Sequence, residues 1–109
     1  MKKGDIVSVD FPFTDLSGTK RRPALFLTED GSDATLAFIT TQTHQARPAD
    51  VPLIPSRLNG LKLPSVVRTG KFATLNQRLI HGKLGEISPA EIVAVDAGLV
   101  RSLDIKFPV

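Results

Sequence analysis

FPFTDLSGTKRRPALFLT, residues 11–28, joins two apolar segments through a polar, Gly-containing loop that ends in the cations Lys20, Arg21 and Arg22. Pro23 follows directly and biases Arg22 toward extended backbone. A guanidinium held at a strand entrance beside a loop suits phosphate binding. Exposed Lys/Arg runs are also common on ordinary surfaces. Composition alone therefore leaves both a solvated basic hairpin and an anion site open.

Outward from that stretch the chain reads as short strands. Residues 5–11 alternate, with Ile6, Val7, Val9 and Phe11 against Ser8 and Asp10, the pattern of a strand. Residues 14–20, containing Asp15, Ser17 and Gly18, form the first long loop. PALFLT (23–28) is a continuous apolar strand, and ATLAFITT (34–41) is a third, rich in β-branched residues. QTHQARP (42–48) breaks the pattern and forms a second functional-looking loop. Residues 51–54 make a short strand that Pro52 assigns to a sheet edge. Asn59-Gly60 is the strongest turn signal. Residues 65–69 read as a strand that 72–75 continues beyond Gly70, and residues 79–87, interrupted by Gly82 and Gly85, are ambiguous.

The one clear helix is last. Ser88 is placed to cap it, Pro89 occupies the first helical position, and Glu91 completes a capping box. Ile92, Val95, Leu99 and Leu103 recur at helical spacing, with Val93 and Val100 widening the stripe. Short strands followed by a terminal helix predict a mainly β fold, a small antiparallel barrel closed by that helix.

A chain of 109 residues with 41% apolar content is expected to form one globular domain over 1–109. It has no cysteine, which excludes thiolate metal sites, disulfides and cysteine nucleophiles. The N-terminus has no continuous apolar region, so neither a signal peptide nor a membrane span is expected and the cytoplasm is the default. A net charge of +3 and a pI of about 9.6 favour an anionic partner weakly. Without Trp or Tyr, stacking on bases would fall to Phe or Arg. His44 and His81 are scattered and have no carboxylate at ligand spacing, so no metal is expected. No Gly-rich phosphate loop is present, and neither Ser17 nor Ser65 lies in a nucleophile-elbow context. No cofactor is expected.

What remains is a set of cations and hydroxyls at strand ends: Arg22, Thr40, Thr41, Ser65 and Arg68. Such a set suits a phosphodiester, because a guanidinium binds two phosphate oxygens and a hydroxyl donates a further hydrogen bond.

GDIVSVDFPFTDLSGTKRRPALFLT closely resembles the N-terminal signature of the MazF/PemK toxins of bacterial type II toxin–antitoxin modules. The likeness continues through Ile39-Thr40 and Pro64-Ser65-Val66-Val67-Arg68-Thr69 into the closing helix. It implies an SH3-like barrel with a C-terminal helix, forming a homodimer. It also implies a metal-independent endoribonuclease that cuts single-stranded RNA at specific sequences, leaving a cyclic phosphate and a free 5′-hydroxyl. Arg22 matches the family's catalytic arginine, Thr40 its catalytic threonine, and Arg68 an arginine used in the PemK branch. Lys20, Arg21, Ser65, Arg68 and His44 are then the expected RNA contacts. An acidic antitoxin with a disordered tail is the expected protein partner, covering the loops at 14–20 and 42–48. Two positions depart from the family pattern: Gly70 stands where an acidic residue is common, and Ala73 where an arginine is. His44 is the substitute this sequence offers as general base. The alternative is a catalytically inactive barrel that binds protein or nucleic acid.

Overall fold

The protein, described here from a computed structural model covering residues 1–11 and 20–108, is a six-stranded antiparallel sheet with one long helix. Its strands are β1 (Asp5–Phe11), β2 (Lys20–Asp30), β3 (Asp33–Thr40), β4 (Val51–Leu53), β5 (Ser65–Asn76) and β6 (Ile80–Glu86), followed by helix α1 (Pro89–Ser102). Single turns of 3-10 helix lie at Thr43–Gln45 and Gln77–Leu79. The strand order is β4-β5-β3-β2-β1-β6, which places the Pro52 strand at an edge as its sequence required. Among the described residues no helix is long and apolar enough to cross a membrane. The first long loop read from the sequence, 14–20, lies outside the described residues except for Lys20.

Both faces of the central strands are buried. Along β1, Ile6 joins one apolar cluster with Leu25, Ala37, Ile39, Val67 and the helix residue Val95. Val7, Val9 and Phe11 point the other way, into a second cluster with Ala24, Phe26 and Leu36. This accounts for the unbroken apolar run PALFLT, since a strand covered on both sides has no polar face. The chain achieves this double burial by curling the sheet into a barrel-like form.

One strand reading is revised, one is borne out and one is resolved. β2 starts at Lys20 rather than Pro23, so the three cations belong to the ladder, with Phe11 opposite Lys20, Asp10 opposite Arg21 and Val9 opposite Arg22. Pro23 is tolerated inside β2 because pairing with β3 begins only at Ala24. Segments 65–69 and 72–75 are one strand that bulges: Arg68 faces Phe38 and Phe72 faces Ala37, leaving residues 69–71 as the excursion. The ambiguous segment 79–87 contains β6, whose ladder to β1 shifts register twice. His81 and Leu84 fall at those shifts, which destroy the period-2 signal.

Asn59-Gly60 does turn the chain, but not as a two-residue hairpin. Buried Asn59 donates from Nδ2 to the Ile54 carbonyl (2.8 Å), while its Oδ1 accepts from the backbone N–H of Ser56 and Leu61 (both 3.0 Å). The folded link reaches β6, where Glu86 N–H donates to the Leu58 carbonyl (2.9 Å). Gly60 has φ +67°, and a Cβ there would lie 2.2 Å from the Leu84 carbonyl oxygen. Only a residue without a side chain fits that approach.

Helix α1 has the expected capping box: Ser88 Oγ accepts from Glu91 N–H (3.2 Å) and Glu91 Oε1 from Ser88 N–H (2.8 Å). Ile92, Val95 and Leu99 face the sheet. Val93 (69% exposed) does not, while Leu103, just past the helix, lines a shallow cavity with Leu27, Phe72 and Leu99 and stays 54% exposed. Gly98 is the point of closest approach: a Cβ would sit 2.4 Å from the Ala49 carbonyl oxygen and 2.8 Å from Thr69 Cγ2.

Asp5 is 2% exposed. It accepts from the Lys2 backbone N–H (2.8 Å) and Lys2 Nζ (3.1 Å), and pairs with Lys83 Nζ at 3.2 Å. Burial alone would push its carboxyl up, but the hydrogen bonds from Lys2 and Lys83 together hold it below the ordinary carboxylate value.

Two stability predictions follow from these contacts. Gly98→Ala gains at most about 1 kcal/mol of helix propensity but overpacks against backbone, at about 1–3 kcal/mol. Denaturant titration should therefore show net destabilisation; an unchanged or raised midpoint would contradict the close approach. Because the folded-state pKa of Asp5 is depressed, its contribution is full above the unfolded value of 3.8 and is lost as pH falls through the lower folded value. Asp5→Asn should cost about 1–3 kcal/mol at pH 7, and the gap between its melting temperature and that of the wild type should narrow as the pH drops below about 4.

Candidate active site

Register decides which of the cations reach a common cleft. Arg21 and Arg22 are neighbours in β2, so their side chains leave opposite faces of the sheet. Arg22 lines a cavity of about 270 Å³ together with Phe11, Pro23, Phe38, Ile39, Thr40, Gln45, Arg68 and Lys71. An adjoining cavity of about 380 Å³ shares Arg22, Pro23, Ile39 and Thr40 and adds Thr41, Gln42 and Ser65. Of the residues expected at a site, Arg22, Thr40, Ser65 and Arg68 therefore converge.

Each is held by its own local structure. Thr40 ends β3, and its Oγ1 accepts a hydrogen bond from Gln42 N–H (3.1 Å). With an acceptor lone pair engaged, the hydroxyl proton is free to donate into the cleft. Ser65 begins β5 and donates to the Leu63 carbonyl (2.9 Å), so its hydroxyl already has a partner. Arg68 precedes the β5 bulge, with Nε 3.0 Å from Asp50 Oδ2 but without the alignment of a hydrogen bond, so charge holds that pair. Asp50 is anchored in turn by the backbone N–H of Arg47 (2.8 Å) and Thr69 (3.2 Å).

Two of the other expected contacts, Arg21 and His44, sit elsewhere. Arg21 is tied to Asp10 (Nε to Oδ1, 3.2 Å) and lies 3.0 Å from His81 Nε2, which is itself 2.5 Å from Asp10 Oδ2. His81 and then Arg21 hold the Asp10 carboxyl below its ordinary value. Arg21 lines neither cavity. Only the backbone of Lys20 is described, opposite Phe11. His44 is exposed in the 3-10 turn whose neighbours Gln42 and Gln45 line the cleft, but it does not line the cleft itself.

Sequence reasoning missed Phe11, Phe38, Lys71, Gln42 and Gln45. Phe38 was accessible through the period-2 pattern, since it lies two residues before Thr40 on the same face. Its ring packs 4.9 Å from that of Phe11, and Lys71 Nζ sits 5.2 Å over it. Lys71 reaches this position only through the bulge, which no sequence pattern announces. Among the described residues no cluster of three His, Asp or Glu side chains could hold a metal, and no carboxylate or imidazole lines either cavity.

The fold is similar to that of several solved toxins. An endoribonuclease in complex with its cognate antitoxin, from a Mycobacterial species, aligns with TM-score 0.78 and 20% identity over 99% of both chains. Mycobacterium tuberculosis toxin MazF-mt6 aligns with TM-score 0.74 and 24% identity over 94% of this chain and 99% of its own. MazF in a MazE–MazF structure from Deinococcus radiodurans aligns with TM-score 0.74 and 22% identity over 97% of both. No curated protein matches the sequence. At the level of sequence, residues 2–103 match the family described as PemK-like, MazF-like toxin of type II toxin–antitoxin system. With nearly the whole chain matched and the fold agreeing, this protein belongs to the PemK-like, MazF-like toxin family of type II toxin–antitoxin systems.

Proposed function

We propose that this protein is an endoribonuclease toxin that cuts single-stranded mRNA in the cytoplasm at specific short sequences without a metal. The observation supporting this most directly is that Arg22 and Thr40 line the same pair of adjoining cavities. In this reading the ribose 2′-hydroxyl loses its proton to solvent as its oxygen attacks the adjacent phosphorus. The bond to the 5′-oxygen of the next nucleotide breaks, and that departing oxygen takes up a proton from solvent. The products are a 2′,3′-cyclic phosphate and a free 5′-hydroxyl. Negative charge builds on the phosphorus-bound oxygens as the new bond forms. Arg22 meets it with a guanidinium that stays charged at every working pH, and Thr40 donates its hydroxyl to one of the same oxygens. Phe38 offers a half-buried ring on which a base could stack. Ser65 and Arg68 contact the substrate from β5, while Lys20, Arg21 and His44 contribute at most attraction from the periphery. The cognate partner is an acidic antitoxin with a disordered tail that competes for this basic rim, and the working unit is a homodimer.

With no carboxylate or imidazole among the described residues lining the cleft, proton removal has no assigned base. That observation favours one second reading, a barrel that binds RNA or protein without cutting.

Cleavage of single-stranded RNA in EDTA separates the two readings. Wild-type protein should cut. Arg22→Ala and Thr40→Ala should each lower kcat by about 10²–10³, the usual cost of one lost transition-state donor. Thr40→Ser should retain most activity because it keeps the hydroxyl. Intact RNA across varied sequences with folded wild-type protein would leave the binding module. His44→Ala should change the rate less than about threefold; a loss matching that expected for a general base, about 10²-fold or more, would return the base to His44.

A further inference from the structure

Beside the cleft lies a larger cavity of which the reading above uses only Arg68. It measures about 640 Å³ and is lined by Arg47, Pro48, Ala49, Asp50, Arg68, Gly70, Lys71, Arg101 and Ser102. Arg68 and Lys71 line both spaces, so the two adjoin at these side chains. Four cations and one carboxylate meet here, and the carboxylate is already spent. Asp50 is 3% exposed in its side chain, pairs with Arg68, and accepts from the N–H groups of Arg47 and Thr69. Arg47, Lys71 and Arg101 make no ion pair among the described residues.

The helix end that supplies Arg101 does not oppose an anion strongly. Its last carbonyls are turned inward: those of Leu99, Val100 and Arg101 accept from the N–H groups of Leu103, Ile105 and Asp104 respectively. Ser102 is fixed as well. Thr69 Oγ1 donates to the Ala49 carbonyl (2.9 Å), so Ser102 must donate to Thr69 (2.8 Å). Gly70 contributes no side chain to the floor, although a Cβ there would meet only ordinary contact, 3.6 Å from Ser102 Oγ.

We propose that Arg47, Lys71 and Arg101 form a subsite for a backbone phosphate of single-stranded RNA, outside the nucleotide that is cut. The inference rests on the ribonuclease reading of the adjoining cleft. The chemistry of the lining selects the ligand. It offers cations but no large apolar side chain, whereas a protein tail binds through apolar or aromatic anchors seated in pockets. A polyanion with one charge per nucleotide, already held at Arg22, passes Arg68 and Lys71 and finds the next cations in reach. Contacts of this kind carry no sequence information but add affinity that salt removes.

The test is equilibrium binding of a fluorescein-labelled 2′-O-methyl RNA 12-mer, which cannot be cut, measured by anisotropy from low to high salt. The variants are Arg47→Ala with Arg101→Ala, and separately Gly70→Asp, which introduces a carboxylate while keeping every cation. Neither touches the catalytic pair, and circular dichroism confirms folding. The double variant should bind several-fold more weakly at low salt, with the slope of log K against log[salt] reduced by about 0.7 per cation removed. Gly70→Asp should weaken binding in the same direction, and Arg47→Lys with Arg101→Lys should restore the slope. An unchanged slope in the double variant overturns the subsite. So does competition by a poly-glutamate peptide that the double variant abolishes while RNA binding is unmoved, since the cavity would then serve an acidic protein. If wild-type protein binds the 12-mer with the expected slopes yet cuts no RNA, the ribonuclease reading fails and the subsite stands.

Discussion

The carbonyl oxygen of Ala49 occupies the space that a side chain at position 98 would need. That close approach lets α1 come down onto the β3–β4 connection and the bulge of β5, and much of the site depends on it. The same carbonyl accepts from Thr69 Oγ1, and Thr69 in turn receives Ser102 from the end of the helix. One residue further on, Asp50 gathers Arg47, Arg68 and the Thr69 N–H around a buried carboxylate. A buried charge without such partners would be costly; with them it becomes a positioning device. Helix seat, loop conformation and the aim of Arg68 are thus consequences of one contact rather than separate features.

Much of this could be read from the chain, and the parts that could not share a cause. The capping box of α1 is local, so Ser88, Pro89 and Glu91 announced it without knowledge of the fold. The alternation of residues 5–11 and the apolar run after Pro23 gave the first two strands for the same reason. Register is not local. That Arg22 faces the cleft while its neighbour Arg21 turns to Asp10 and His81 depends on pairing across the ladder, and His81 is 71 positions from Asp10. Bulges hid the rest: 72–75 was legible as the continuation of 65–69, but the excursion at 69–71 concealed Lys71, and paired register shifts erased the alternation of β6. Asp50 carried no signal in the sequence because two of its partners, Arg68 and Thr69, lie on β5, nearly twenty positions away. The two family positions came from resemblance, and geometry adds only that their side chains share a space.

The barrel-like form closes by an unusual route. β4 and β6 are the outer strands, and the hydrogen-bonded order does not join them. The link after β4 does, through Leu58, Asn59 and Gly60 lying against Leu84, Gly85 and Glu86. Asn59 gives the link its shape by satisfying three backbone groups at once, a substitute for the ladder bonds that a seventh strand would supply.

The twice-shifted register of β6 has a further consequence. An outer strand exposes unpaired N–H and C=O groups, and a straight one is a template for edge-to-edge aggregation. Here the strand is kinked at His81 and Leu84, carries Lys83, and has the Asn59 link along part of its length. At the opposite edge, β4 is three residues long and contains Pro52. Both edges are therefore poor templates, so the sheet can accumulate as a discrete particle rather than seeding filaments, even when no other chain covers its margins.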